Sequence, residues 1–180
     1  PTQLQPSLGF AASVAYGDRR QHEQPKDAPA EFAHLVRLAR DLTGYRNLVR
    51  LTSRGYTEGF YRKPRLDHEI LAEHSEGVIV LSACLSGEVA KNLQFGRYDR
   101  AKEAAEFYAR TFPDRYYLEV QDHGIKGQDE VNAGVFQLSD ELGLPVVLTN
   151  DARYLRRDDA DMPGTLLCSG TGVLKSEPNR

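Results

Sequence analysis

Apolar runs of five or six residues alternate along this chain with amphipathic stretches at helical spacing. Residues 78–83, 116–120 and 145–149 are rich in Val, Ile, Leu and Tyr, a composition typical of buried strands. Residues 128–142 and the stretch that begins at Asp99 place apolar side chains three and four residues apart, which predicts helices between these strands. This order, with short connections, predicts an α/β fold with a parallel sheet or barrel.

The pattern is weaker in the first third of the chain. Residues 17–29 are dominated by Gln, Pro, Asp and Lys, which predicts a loop or linker. Residues 32–39 fit either a strand or the start of a helix, and the pattern does not decide between them. Helical spacing returns over residues 43–52, and Asp67 is a suitable N-cap for a short helix.

Composition fits one soluble globular domain, since the 180 residues are 27% charged and 40% hydrophobic. The net charge of −3 gives no general attraction to nucleic acid or anionic membrane, so a nucleic-acid contact would need a local basic patch. Two cysteines do not make a disulfide framework, and no apolar stretch approaches the ~20 residues that span a bilayer. We therefore expect a cytoplasmic protein with no membrane partner.

The chain begins at Pro1 without a methionine and stops at Arg180 without a closing element, which is the pattern of a fragment. We expect it to be a piece of a longer protein. Within it the composition predicts an irregular, poorly ordered lead-in over residues 1–30, a β/α portion over residues 31–170 and a linker over residues 171–180.

Residues that can bind metal or move protons follow each of the three apolar runs. Cys84 follows the first, Asp122 and His123 follow the second, and Asp151 follows the third. Because loops at strand ends converge on one rim in parallel α/β folds, these side chains could form one site. Each also has a structural interpretation. Cys84 could be a small buried hydrophobe, Asp122 and His123 could form a turn, and Asp151 could be a helix cap or an Asx-turn. The structural interpretation is favoured for the first two positions and equal to the functional one for Asp151.

Two further segments combine residue types that could carry chemistry. Residues 158–161 have the D-x-D spacing of two-metal sites, but a solvated helix start fits them better. Residues 56–65 mix aromatic and basic side chains and could contact nucleic acid, although an ordinary packed loop is the default interpretation.

Five segments of the chain match the motifs of one family. They are LTGYRNLVRL (42–51), GYTEGFYRKPRLD (55–67), LSACLSGEV (81–89), QDHG (121–124) and TND (149–151). Through them the chain resembles the PHP (polymerase and histidinol phosphatase) domain of bacterial DNA polymerase III alpha subunits. The resemblance extends from about Gly9 to Arg180.

The resemblance implies a distorted (β/α)7 barrel, incomplete at its N-terminus in this chain, with a site for up to three divalent metals at strand ends. In active relatives this site hydrolyses phosphoesters as a 3′–5′ exonuclease, with a metal-bound hydroxide as nucleophile. In other relatives the site has decayed, and the domain supports the polymerase and docks a separate proofreading exonuclease. The implied partners are the rest of the alpha subunit, the proofreading exonuclease, the replication holoenzyme and, through the parent protein, DNA.

Only some of the family's metal ligands are matched. His34, Cys84 and Asp151 stand at ligand positions, whereas Ala11 stands where the family has a glutamate and Arg153 where it has a histidine. A guanidinium stays protonated and has no lone pair to donate to a metal. The family's first histidine pair would lie upstream of this sequence. These departures predict a degenerate site that does not hold zinc, manganese or magnesium tightly.

The sequence therefore favours a metal-poor structural and partner-docking scaffold, within a protein whose parent family is a DNA-directed DNA polymerase and nucleotidyltransferase. Two alternatives remain open. One is an active metal-dependent phosphoesterase or 3′–5′ exonuclease, completed by an upstream segment. The other is a stand-alone pseudoenzyme from a truncated gene. The chain by itself is expected to be inactive.

Overall fold

The computed structural model describes residues 7–23, 25–152, 154–172 and 174, and the account below refers to these residues. The chain divides into two compact units, the first ending at Thr149 and the second beginning at Asn150. Among the described residues, the first unit contains the sheet and five α-helices, and the second contains a 3₁₀ turn and one α-helix. Among the described residues, no helix combines the length and apolar character needed to cross a membrane.

The described part of the first unit has seven strands and five helices. The strands are β1 (Gly9–Val14), β2 (Ala33–Ala39), β3 (Phe60–Tyr61), β4 (Lys63–Leu66), β5 (Val78–Leu81), β6 (Tyr116–Val120) and β7 (Val146–Leu148). The helices are α1 (Leu42–Thr57), α2 (His68–Glu73), α3 (Glu88–Gln94), α4 (Tyr98–Thr111) and α5 (Gln128–Leu142).

The strands form one open sheet in the order β3-β4-β1-β2-β5-β6-β7. Strands β5, β6 and β7 are parallel to one another, and β1 is parallel to β4. Strand β2 is antiparallel to both of its neighbours, β1 and β5. The α/β class is confirmed, and the open sheet agrees with an incomplete barrel. The predicted parallel arrangement is found for β5, β6 and β7, whereas β2 is antiparallel to both of its neighbours and β3 is antiparallel to β4.

Strand β1 corrects the prediction of an irregular lead-in over residues 1–30. It pairs with β2 along its whole length, with Ala12 opposite Leu35 and Ser13 opposite His34. Its sequence GFAASV is built largely from small residues with weak strand propensity. The strand therefore depends on its partners, and the local pattern does not reveal it. Residues 1–6 lie outside the described range.

Helix α1 shows how the helices are fixed against the sheet. Asp41 caps it by accepting a hydrogen bond from the backbone N–H of Gly44, with 2.9 Å between the heavy atoms. A Cβ at Gly44 would overlap the carbonyl oxygen of Gly77, so only glycine allows this close approach. Asn47 donates from its amide to the carbonyl of Glu76 at 2.8 Å. These contacts hold α1 against the turn that leads into β5, with Leu51 fully buried below.

The second unit begins with a short 3₁₀ turn (Arg157–Ala160) that leads into helix α6 (Asp161–Thr171). The aspartate-rich residues 158–161 therefore form a helix start, as the sequence predicted. The backbone N–H of Arg156 donates to a carboxylate oxygen of Asp159 at 3.1 Å. Most of the predicted linker over residues 171–180 lies outside the described residues.

Candidate functional site

His34 and Cys84 lie beside each other although fifty positions separate them in the sequence. The Sγ atom of Cys84 is 3.9 Å from Nδ1 of His34. The backbone N–H of His34 donates to the carbonyl of Ser86 at 2.8 Å, and Gly87 donates to the carbonyl of Cys84 at 2.7 Å. The start of β2 and the loop after β5 are therefore tied together, which places the two side chains next to each other.

The residue before Cys84 bends the chain sharply. Ala83 has a φ of 66°, in the left-handed region that costs a residue with a Cβ of the order of 1 kcal/mol. The preceding Ser82 accepts a hydrogen bond at its Oγ from the backbone N–H of Glu119, at 2.8 Å. The hydrogen bond from β6 to Ser82 thus fixes the strained backbone of Ala83.

The surroundings of His34 are positively charged. Partial burial lowers the pKa of His34, and the charges of Lys63 and Lys91 lower it further. The Nζ atom of Lys63 lies 4.7 Å from the centre of the Phe32 ring, which in turn lies parallel to His34 with 6.0 Å between ring centres. Burial and the two lysines favour the neutral imidazole, and the same positive potential opposes a bound cation.

Ala11 lies on the face of the sheet that carries His34. Ser13 is directly opposite His34 in the β1–β2 pair, and residues two apart on a strand share a face. A carboxylate at position 11 would therefore project from that face, where alanine offers no ligand. Within the residues that the structure describes, no group of three or more His, Cys, Asp or Glu side chains is placed to hold a metal ion.

The remaining predicted positions lie in the loop after β6 and in the second unit. Asp151 is exposed and belongs to the second unit, and Arg153 lies outside the described residues. Asp122 and His123 are exposed in the loop after β6, where the backbone N–H of Gly124 lies 3.4 Å from a carboxylate oxygen of Asp122. That geometry is an Asx-type turn, so the metal or catalytic roles of these positions stay predictions.

Glu119 is a buried carboxylate that the sequence analysis did not single out. It lies within β6 and is 7% exposed. One of its oxygens accepts hydrogen bonds from Thr149 and Gln121, while Oε2 has no hydrogen-bond partner among the described residues. Glu119 and Cys84 line the same small cavity. The one acidic residue in the apolar sequence of β6 is the feature of the sequence that could have indicated a buried functional carboxylate.

A second polar cluster was also missed. Glu88, at the start of α3, accepts hydrogen bonds at Oε2 from the Tyr108 hydroxyl at 2.7 Å and lies 3.0 Å from Nε2 of His68. Burial and the Glu88 charge raise the pKa of Tyr108 well above its usual value. This cluster borders a cavity of about 300 Å³ that Tyr16 also lines. It arises only through tertiary packing of α2, α3 and α4.

Comparison with known proteins assigns the chain to a family. The PHP domain profile matches residues 1–123. The chain is 42% identical to the DNA polymerase III subunit alpha of Deinococcus radiodurans over 180 residues, covering 99% of this chain and 14% of that protein. It is 40% identical over 177 residues to the subunit of Thermus aquaticus, covering 98% of this chain and 14% of that protein. It is 43% identical over 172 residues to the subunit of Treponema pallidum, covering 95% of this chain and 14% of that protein. The chain thus spans about one seventh of these relatives' length, and it belongs to the PHP domain family.

Proposed function

We propose that this chain is the PHP domain region of a bacterial replicative DNA polymerase and acts there as structural support and partner platform, not as a metal-dependent nuclease. The similarity to polymerase III alpha subunits, which runs along 99% of the chain, supports the first half. The second half rests on one observation, the two lysines beside His34 together with alanine at position 11.

The chemistry of the donor set supports a site that holds metal poorly. A stable zinc site in proteins has three or four protein ligands, and magnesium and manganese prefer oxygen donors. His34 and Cys84 supply one nitrogen and one sulfur, and Ala11 supplies nothing. Glu119 lines the same cavity as Cys84, but the three side chains are not placed together as a metal-holding group among the described residues. Lys63 and Lys91 add positive charge where a divalent cation would need negative charge. A nuclease mechanism that depends on a bound metal is therefore poorly supported by these residues.

The proposed partners are the remaining regions of the alpha subunit, a proofreading exonuclease subunit and the replication holoenzyme, in the cytoplasm. An apolar surface along β1 and α1 supports a docking role, because Leu8, Tyr45 and Val49 are all exposed around a cavity of about 310 Å³. Exposed apolar patches of this kind are typical of contacts with other protein surfaces. DNA would be met through the parent polymerase.

Elemental analysis of the purified chain tests the proposal. We expect well under one zinc or manganese ion per molecule after dialysis against buffer without chelator. The variant Ala11→Glu should raise zinc binding because it adds a carboxylate on the face of His34, whereas the control Ala11→Gln, of similar size but uncharged, should not.

The contrary result would be near-stoichiometric metal in the natural sequence together with exonuclease activity that Asp151→Ala abolishes. Asp140→Ala is the matched control, since it removes an exposed carboxylate of α5 that stands at no candidate position. That combination would overturn the scaffold proposal in favour of an active nuclease.

A further inference from the structure

The hairpin formed by β3 and β4 has an arginine at its tip. Tyr61 pairs with Lys63 and Phe60 with Pro64, so Arg62 alone connects the two strands. Arg62 has a φ of 60°, in the left-handed region that glycine occupies without strain. Its side chain is 69% exposed. The fold thus holds a strained arginine in solvent at a position where glycine would be easier, a feature that often marks a functional segment.

Aromatic rings lie on both sides of this tip, and those on one side are exposed. Tyr56, at the end of α1, and Phe60 are 58% and 55% exposed, and their rings lie 6.1 Å apart at an interplanar angle of 21°. On the other face of the hairpin, Tyr61 stacks against His22 with 4.4 Å between ring centres. Because every nucleobase has a flat π-face, exposed rings of this kind bind bases with little sequence preference.

The charge of the hairpin is opposite to that of the whole chain. Arg62 and Lys63 are adjacent and exposed, and the nearest carboxylate to Arg62 is that of Glu31, a half-exposed partner at 3.5 Å. Lys63 is exposed, with its Nζ atom 4.7 Å from the centre of the Phe32 ring. Arg65, buried below them, donates to two backbone carbonyl groups. This is the local basic patch that a chain of net charge −3 needs to contact nucleic acid.

We propose that the β3–β4 hairpin, together with Tyr56, binds single-stranded nucleic acid. Arg62 and Lys63 contact the phosphates, and the rings of Tyr56 and Phe60 stack on unpaired bases. A duplex fits less well because its bases are stacked on each other and present no free face to these rings. The inference goes beyond the scaffold role and does not rest on it. Lys63 contributes charge near His34 as well, but the proposed stacking rings and Arg62 take no part in the metal argument.

Fluorescence polarisation with a labelled oligothymidylate of about 15 nucleotides, added to the full chain at low salt, tests this proposal. Binding should weaken steeply as salt rises. Phe60→Ala should weaken binding about tenfold, the loss expected for one stacking platform. Phe95→Ala is the matched control, because Phe95 is 56% exposed and lies 5.6 Å from an arginine, Arg97, but belongs to α3's C-terminal end. It should leave binding unchanged.

The variant Arg62→Gly distinguishes a role of Arg62 in nucleic-acid binding from a role in stability, because the two roles predict opposite changes. Glycine relieves the left-handed strain, so the melting temperature should rise, while the loss of a phosphate contact should weaken binding and flatten its salt dependence. Oligothymidylate binding that is undetectable at low salt would overturn the proposal and leave the hairpin to protein contacts. Equal affinity for a duplex of the same length, or unchanged affinity in both Phe60→Ala and Arg62→Gly, would overturn it as well.

Discussion

Arg19 and Arg37 are both almost completely buried, and their surroundings are opposite. Arg19 lies 2.6 Å from a carboxylate oxygen of Glu58 and 3.0 Å from one of Asp67. None of the three guanidinium nitrogens of Arg37 has a hydrogen-bond partner among the described residues, and its Cζ lies 4.0 Å from the centre of the Phe10 ring. Burial lowers the pKa of Arg37 to about 9. An unpaired buried cation is costly, so Arg37 weakens the fold that Arg19 strengthens.

We therefore expect Arg37→Leu to raise the free energy of unfolding, by about 1–3 kcal/mol, because leucine fills the site without a charge to desolvate. Arg19→Leu should lower it by about 3–5 kcal/mol, since it leaves the buried carboxylate of Asp67 without its cationic partner, although the backbone N–H groups of residues 19 and 70 still donate to it. Urea denaturation of the three proteins measures both changes. A loss of stability in Arg37→Leu would show that the arginine has partners in solution that offset its burial.

At the scale of elements, Glu58 joins the end of α1 to the loop after β1. Its carboxylate accepts hydrogen bonds from Arg54 and Arg19, and these hold the pKa of Glu58 at about 2, well below its usual value of 4.5. A carboxyl group whose pKa falls on folding stabilises the native state above its unfolded pKa. That contribution is lost as the pH falls from about 4.5 to about 2.

Glu58→Gln should accordingly melt at a lower temperature than the natural sequence at pH 7. The difference between the two proteins should shrink as the pH is lowered through that window, because the natural carboxylate then becomes neutral too. Melting curves recorded at intervals of pH provide the measurement. Glu103→Gln serves as control, since this exposed carboxylate has only a surface contact with Arg100. A difference that stays constant down to pH 2 would contradict the assigned pairing.

The sequence predicted some elements to the residue and missed others for physical reasons. Strand β6 and helix α5 have the predicted bounds, because continuous apolar runs and regular helical spacing are local signals. Strand β2 was ambiguous because Arg37 places a charge at a buried position and breaks its pattern. The antiparallel course of β2 depends on its pairing with β1, which no local pattern encodes.

The same distinction applies to the candidate site. The proximity of His34 and Cys84 follows from tertiary contacts between β2 and the loop after β5, so the family resemblance predicted it and periodicity did not. The sequence does not predict the role of Glu119, because β6 is apolar on both faces and the position of one carboxylate does not show which face it occupies. The positive surroundings of His34 come from lysines on β4 and α3, which are adjacent only in the fold.

At the scale of the whole molecule, part of one strand of the sheet lacks a strand partner among the described residues. Strand β1 pairs with β4 only at Ser13 and Val14, so residues 9–12 have no strand partner on that side among the described residues. The exposed apolar side chains of Leu8, Tyr45 and Val49 lie around the cavity beside this edge. Open strand edges flanked by apolar surface pair readily with other chains.

The isolated chain should therefore self-associate through this edge. Sedimentation velocity over a range of protein concentrations should show a sedimentation coefficient that rises with concentration. Val49→Lys should suppress the rise, because a charge on the exposed face of α1 disfavours burial of the edge. Phe136→Lys, which charges an equally exposed apolar position on α5, should leave it intact. A chain that sediments as a monomer at every concentration and melts in one sharp transition would contradict the edge as a site of association. An unpaired strand beside an apolar surface is expected to gain stability when another chain covers it.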